Sequence, residues 1–175
     1  MVYIETPRLI LRDWEEKDIL PFAEMNSDPR VMKYFLKALT DKETQEFYNR
    51  IQNEFSQCGY GLYAIEKKEN SEFIGYTGFH NIPFDVDFAP GIEIGWRIKH
   101  KDWNKGYVTE AANACIEYAK ENLPFNIIWS FTSLPNKSSE RVMQKIGMEK
   151  VREFPHPLVP VDHPLREHVL YKIEL

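Results

Sequence analysis

The stretch GIEIGWRIKHKDWNKGYVTEAANACIEYAKENLPFNIIWSFTS, residues 91–133, decides the fold. In its first part Ile92, Ile94, Trp96 and Ile98 share one face, and Glu93, Gly95 and Arg97 share the other, which is the two-residue period of a strand. From Tyr107 the period changes, and Val108, Ala111, Ala112, Cys115, Ile116 and Ala119 fall on one helical stripe. NIIWSFTS (126–133) follows as a short apolar strand. Strand, helix and strand in this order form a βαβ unit with a parallel pair of strands. The join between the first strand and the helix is a basic, polar run with one glycine, Gly106. The first four N–H groups of a helix have no intrahelical partner and carry partial positive charge, so a phosphate is the natural guest there.

Working outward, RLILRDW (8–14) alternates around Leu9 and Leu11 as a strand. EEKDILPFAEMNSD has helical spacing at Ile19, Phe22 and Ala23, with Pro21 near its start. Thr40 or Asp41 caps a second helix, DKETQEFYNRIQNEF, whose Phe47, Ile51 and Phe55 line one side. YGLYAIEKKENSEFIGYTGFHNI reads as two strands joined by a polar turn at Lys68 to Ser71, and PFDVDFAP as a loop or frayed turn. After Pro135, Asn136 caps a short helix carrying Val142, Met143 and Ile146, with Gly147 as its left-handed stop. HPLVPVDHPLRE (156–167) has three prolines in twelve residues and cannot be a central strand; HVLYKIEL is the closing strand. The order β-α-α-β-β-β-α-β-α-β-β is mixed α/β: a twisted sheet of about six to seven strands, antiparallel first and parallel in the middle, with about four helices.

At 175 residues, 43% hydrophobic and 14% aromatic, the chain suits a single domain, 1–175, with one sizeable core. Acidic residues outnumber basic ones 27 to 22, which excludes a long electrostatic grip on nucleic acid or an anionic membrane and favours a small cationic partner. Cys58 and Cys115 show no C-x-x-C spacing, which argues against a zinc ribbon or redox pair and fits a reducing compartment. The start of the chain lacks a signal-peptide apolar region and no run approaches the ~18 apolar residues of a membrane span, so the expectation is a soluble cytoplasmic protein. His156 and His163 are spaced H-x6-H, which is no recognised ligand pattern, and no metal site is expected. There is no G-x-x-x-x-G-K-[ST] and no G-x-G-x-x-G, which removes the Walker-type and dinucleotide-binding classes.

This element order, with the glycine loop behind IEIGWRI and NKSSERVMQKIGM one strand later, resembles the GNAT superfamily of acyl-CoA-dependent N-acyltransferases. ETPRLILR, WNKGYVTEA and EHVLYKIEL look like its branch of ribosomal-protein N-terminal acetyltransferases (RimJ/RimL-like), and the likeness covers nearly the whole chain. The resemblance implies that the strand ending at Ile98 splays from its parallel neighbour and leaves a gap for the pantetheine arm of acetyl-CoA, which bonds to Trp96 and Ile98 like an added strand. It also implies that the pyrophosphate meets the backbone of Lys105, Gly106, Tyr107, Val108 and Thr109. The usual loop pattern, Gln/Arg-x-x-Gly-x-Gly/Ala, falls here on Lys101, Asn104 and Gly106, so two of the three positions depart from it. Asn is the non-glycine residue that best tolerates positive φ, so Asn104 is expected there with its N–H toward phosphate; Lys101 keeps a positive charge without the planar fork of Arg.

Acetyl transfer to an amine needs a neutral nucleophile, and free α-amines (pKa about 8) and lysine amines (about 10) must lose a proton near pH 7. Glu93 is the leading base, directly or through water, with Gly95 leaving room for substrate beside it; a plain ion pair with Arg97 is the structural alternative. Asn136 is expected both to cap its helix and, by the resemblance, to contact the pantetheine amide or a bound intermediate. Family members often carry a tyrosine seven residues later to protonate the thiolate; this chain has Met143, and the Rim-like branch suggests Ser139 as its substitute, with Tyr171 a further candidate. The 156–167 loop is expected to shape the acceptor pocket, and Asp85, Asp87 and Glu93 to draw in a cationic amine. The leading acceptor is a protein or peptide N-terminal α-amine. The alternatives are a small-molecule amine (aminoglycoside, polyamine or amino acid) and a noncatalytic acyl-CoA-binding module, while monomer and homodimer stay equally open.

Overall fold

In the computed structural model, which describes residues 1–175, the alternating segments extend into strands and the 3.6-period segments coil. In chain order these are β1 (Val2–Glu5), β2 (Leu9–Arg12), α1 (Ile19–Ser27), α2 (Asp41–Cys58), β3 (Leu62–Lys67), β4 (Phe73–Asn81), β5 (Ile92–Ile98), α3 (Tyr107–Asn122), β6 (Ile127–Ser133), α4 (Lys137–Lys145), β7 (Glu149–Pro155) and β8 (Glu167–Glu174). One eight-stranded sheet runs β1-β2-β3-β4-β5-β6-β8-β7. Every neighbouring pair is antiparallel except β5 and β6. The strand beyond the six to seven expected is β1, four residues too short to show a period of their own and held by pairing with β2.

The helix ends follow local chemistry. Thr40 caps α2 in a reciprocal box, its hydroxyl accepting from the Glu43 N–H at 3.2 Å while the Glu43 carboxylate accepts from the Thr40 N–H at 2.8 Å. Pro21 sits in the first turn of α1, where no intrahelical donor is needed. The residues before it, Glu16–Asp18, form a 3₁₀ turn rather than the start of the α-helix.

Strand alternation sorts the core onto two faces. Tyr63 and Ile65 of β3 pack with Ala111, Cys115, Ile116 and Met143 on the α3/α4 side. Leu62 and Ala64 pack with Phe22, Met25 and Ile51 on the α1/α2 side. The alanine and cysteine stripe of α3 is buried as its spacing predicts, with Ala111, Ala112, Cys115 and Ala119 all at 0% exposure, so small side chains let this helix lie close on the sheet.

The feature that positions the site is where the parallel pairing ends. β5 and β6 are in register only at Ile92/Ile128 and Glu93/Trp129, although β5 continues to Ile98 and β6 to Ser133. Beyond Glu93 the two strands part, while β5 stays zipped to β4 along its whole length, from Asn81/Ile92 to Gly75/Ile98.

On the sheet's other flank Arg12 of β2 ties three elements together. It forks onto Asp18 at 2.8 and 3.0 Å and donates through Nε to Glu66 of β3 at 2.7 Å, with Asp18 fully buried. Removing one partner of a buried pair leaves an uncompensated charge. Asp18→Ala is therefore expected to lower the free energy of unfolding by about 3 kcal/mol, as measured by urea denaturation.

Candidate active site

The parting of β5 and β6 opens a cleft of about 1020 Å³ that runs from the start of α3, past Trp96 and Asn136, to Glu93 and the segment between β7 and β8. Backbone alternation determines which edge of β5 faces it. Lys99 N–H donates to Ile74 of β4 and the Gly95 carbonyl accepts from the Thr77 hydroxyl of β4, so odd-numbered residues turn their backbone groups toward β4. The even-numbered ones turn toward the gap: the Ile94 carbonyl accepts from the Ser130 hydroxyl of β6 at 3.0 Å, and the Ile98 carbonyl from the Trp103 indole at 3.1 Å. Between them the peptide groups of Trp96 face the opening, as does the Ile98 N–H; the Ile98 carbonyl itself is already used.

At the far end of β5 the chain makes a 3₁₀ turn, His100–Asp102, and enters α3 through two left-handed residues, Asn104 (φ 59) and Gly106 (φ 79). Positive φ at Asn104 is what its residue type allows in place of glycine. Gly106 is the N-cap and offers no side-chain cap, and the first helical backbone bond is donated by Glu110 to Gly106. The N–H groups of Lys105 through Thr109 thus have no acceptor in the protein. Arg8 braces this turn from outside, donating to the Lys105 carbonyl at 2.8 Å and to Glu110 at 2.6 Å, with its guanidinium 4.4 Å from the Tyr107 ring centre.

Two lysines of the loop do not face the cleft. Lys101 pairs with Glu72, which also holds Lys67 at 3.1 Å and Lys99 at 3.4 Å. Lys105 lies 3.6 Å from buried Asp102. The cations that do line the cleft near α4 are Arg141 and Lys145, one helical turn apart and exposed, and sequence reasoning passed over both.

At the start of α4, Asn136 is almost fully buried and its amide is committed at both ends. Its carbonyl oxygen accepts from the Ser139 N–H at 3.3 Å and the Ser138 hydroxyl at 3.1 Å, and its NH₂ donates to the Thr132 hydroxyl at 3.0 Å. The capping job is thus visible, and it leaves one of the two amide N–H donors of Asn136 for anything else. Ser139 lines the cleft half-buried, its hydroxyl bonded to no protein group. Met143 is core at 1% exposure. Tyr171 is removed from the candidates, because its hydroxyl donates to Glu140 at 3.0 Å and accepts from Gln144 at 3.1 Å behind α4.

Glu93 does not pair with Arg97. Its partner is His80, directly opposite on β4, with Nε2 to Oε2 at 2.9 Å. Burial disfavours the imidazolium, but the charge of Glu93 and the hydrogen bond to it prevail and raise the His80 pKa to about 9. His80 was not legible as a site residue because only the β4/β5 register brings it to Glu93. Across the cleft, the rings of His156 and His168 meet at a tilt of 50° with 4.8 Å between their centres, with burial pushing His156 down to about 4 and His168 below its ordinary value, so both are neutral at pH 7. His168 Nδ1 lies 3.0 Å from the Arg166 carbonyl, which can only accept, so the proton sits on Nδ1 and Nε2 is left as an acceptor. Of the proposed steering acids, Asp87 pairs with Arg152 and Asp85 is exposed outside the cleft. Leu158, Val159 and Leu165 of the proline-rich segment do line it. No group of three or more His, Cys, Asp or Glu side chains is placed to hold a metal ion.

Compared with known proteins, residues 8–149 match the family described as the acetyltransferase (GNAT) domain. The chain is 30% identical over 150 residues to YnaD of Bacillus subtilis (strain 168), an uncharacterized N-acetyltransferase, covering 85% of this chain and 84% of that one. The crystal structure of a GNAT-family acetyltransferase from Bacillus anthracis superposes with a TM-score of 0.81 at 28% identity, covering 99% and 98% of the two chains. RimL, a ribosomal L7/L12 α-N-protein acetyltransferase in complex with coenzyme A, shares the fold with a TM-score of 0.82 at 13% identity, over 100% of this chain and 98% of that one.

The His80–Glu93 pair predicts a titration. A raised histidine pKa means that the pair's contribution is complete below the ordinary 6.5 and is lost as pH rises through about 9. By NMR, the His80 imidazole is expected to titrate near 9 in the native chain. In Glu93→Gln the main attraction is gone, burial opposes the charge and only the weaker pulls of Glu54 and the Asn81 backbone remain, so the midpoint falls well below that of the native chain. A native midpoint near 6.5 would mean that the two groups are not paired in solution.

Proposed function

The chain belongs to the GNAT acetyltransferase family and is an acetyltransferase, and from that premise we propose that it acetylates an amine held beside Glu93, using acetyl-CoA laid in the gap between β5 and β6. The observation that carries the donor assignment is the row of unpartnered N–H groups from Lys105 to Thr109, entered through the two left-handed residues. Aligned amides at a helix start bind phosphate without help from particular side chains. The departures at Lys101 and Asn104 are therefore compatible with a pyrophosphate there, and the Thr109 hydroxyl, Arg141 and Lys145 add further donors and charge on the same cleft. The open peptide groups of Trp96 and the Ile98 N–H would pair with the pantetheine arm as with an added strand.

Acetyl-CoA supplies an activated thioester, and the chain's own groups handle the protons. Glu93 is the leading acceptor for the ammonium proton. Its bond to a charged His80 weakens it as a base and fixes its position, which favours relay through a water. His168 Nε2 is a second acceptor on the opposite wall. Ser139, held at the head of α4 by Asn136, is placed to hydrogen-bond the departing thiolate; with a thiol pKa of about 8.5, solvating that anion matters more than donating a net proton.

A protein or peptide N-terminal α-amine is the leading acceptor, supported by the segments ETPRLILR, WNKGYVTEA and EHVLYKIEL, which resemble the Rim-like branch. A small-molecule amine is the alternative. A reducing, cytoplasmic setting accords with two free thiols, Cys58 and Cys115.

Titration calorimetry with acetyl-CoA tests the donor, and CoA-thiol release over peptides with free and blocked N-termini tests the acceptor. Glu93→Gln is expected to lower kcat/KM by about a hundredfold and move its pH dependence upward. Ser139→Ala is expected to lower kcat and leave acetyl-CoA affinity within about threefold, since one neutral hydrogen bond contributes little to binding. An unchanged pH profile at full activity in Glu93→Gln would remove Glu93 from the mechanism.

A further inference from the structure

Arg97 is the half-buried cation of the cleft that no acid answers; the other unpaired cations lining it, Arg50, Arg141 and Lys145, are exposed. It lies on the face of β5 turned toward α1 and α2, away from α3 and the phosphate-binding turn, and forms no ion pair although acidic residues outnumber basic ones 27 to 22. One of its five N–H donors is used: Nη1 donates to the Asn26 carbonyl oxygen at 2.7 Å, and that amide is held in this orientation by its own bond to Thr44 at 3.2 Å. Its Nε is buried without a partner. The guanidinium carbon stands 4.4 Å from the centre of the Phe35 ring, 5.5 Å from Tyr76 and 5.8 Å from Phe47. Aromatic faces partly offset the desolvation of a cation, but they leave its planar donor fork unfilled, and a carboxylate matches that fork.

The same face of the sheet carries a row of three cross-strand pairs: His80/Glu93, Gly78/Gly95 and Tyr76/Arg97. A charged pair stands at one end, a lone guanidinium at the other, and a floor without side chains lies between. Gly95 is not required by packing. A Cβ there would meet only His80 Nε2 at 3.8 Å and Glu93 Oε1 at 4.0 Å, both ordinary contacts, whereas one at Gly78 would lie 2.3 Å from the Gly61 carbonyl oxygen. Glu93 and Arg97 lie four residue steps apart along the strand, about 13 Å between Cα atoms, a span that a ligand carrying an amine and a carboxylate can bridge between the two side chains.

We propose that the acceptor is an amine that also bears a carboxylate, lying across Gly95 with its amine at Glu93 and its carboxylate on Arg97. This rests on the amine-acetylating reading above and narrows it. The carboxylate is either that of a free amino acid or an acidic side chain close behind a peptide N-terminus.

The test uses the full chain, acetyl-CoA and CoA-thiol release over matched acceptors: free amino acids against their amides, and short amidated peptides with Asp or Glu at the second or third position against Asn or Gln. The carboxylate member of one series is expected to show kcat/KM at least about tenfold above its amide partner, as losing a charge-assisted hydrogen bond implies, and the series that does so identifies the source. Arg97→Gln should bring that ratio near one, and Arg97→Lys should restore part of it. Gly95→Ala, which the fold has room for, should lower kcat/KM for the preferred acceptor while melting temperature and acetyl-CoA affinity stay unchanged, so the proposal does not hang on Arg97 variants folding. Acids and amides used equally by the native chain, or a preference that survives Arg97→Gln, would overturn the proposal and leave acetyl transfer intact. No thiol release with any amine, despite acetyl-CoA binding, would overturn both.

Discussion

Backbone groups inside a sheet need partners, and between β5 and β6 the partnering stops after Glu93/Trp129. Everything that matters about the cleft is arranged around that break. β5 cannot drift to close it, because its other edge is paired with β4 from Ile92 to Ile98. Single side chains satisfy part of the open edge: the Ser130 hydroxyl takes the Ile94 carbonyl at the point of divergence, and the Trp103 indole takes the Ile98 carbonyl at the mouth. The peptide of Trp96 stays free between them. Directly beyond the mouth, a second set of unpartnered N–H groups begins at Lys105. A ligand with amide-like groups at one end and an anionic group at the other answers both sets at once.

The electrostatics follow the same division. On the α3 side, the groups left open to an anion are backbone N–H groups, since Glu72 gathers Lys67, Lys99 and Lys101. The pair with exposed Lys101 contributes at most about 1 kcal/mol, so its consequence is placement: it holds the base of the loop and keeps Lys101 out of the cleft. On the α1/α2 side the charges carried by β4 and β5 are a His80–Glu93 pair and an Arg97 wrapped in aromatic rings, with Arg50 and Glu54 of α2 on the facing wall. The neutral His168 adds an acceptor without adding charge, whereas the Nδ1 of His156 already accepts from the Leu158 N–H at 3.1 Å. With the His80–Glu93 pair at one end of this face, Arg97 at the other and a glycine between, the position of charge on a ligand weighs more than its bulk.

Much of the fold was readable because it rests on local periods. The alternation of Ile92 to Ile98, the small-residue stripe of α3 and the caps at Thr40 and Asn136 all appear where their spacing puts them. Residue chemistry also foretold the left-handed Asn104, since few other side chains could stand for glycine there. β1 escaped because four residues carry too little pattern, and it exists only as a partner to β2. The site was legible as a set of backbone positions and much less so as a set of pairs.

By itself, then, the sequence determined the βαβ unit, the anion-ready turn and the face on which Glu93 stands, because period and backbone preference are properties of neighbouring residues. Tertiary structure decided who meets whom. Register across β4 and β5 gave Glu93 to His80 and set Arg97 beside Tyr76; the packing of α1 supplied Asn26; the approach of the β3–β4 turn drew Lys101 to Glu72. Those partners come from residues 13 to 71 positions away, and no local pattern encodes a pairing that exists only once the sheet has assembled.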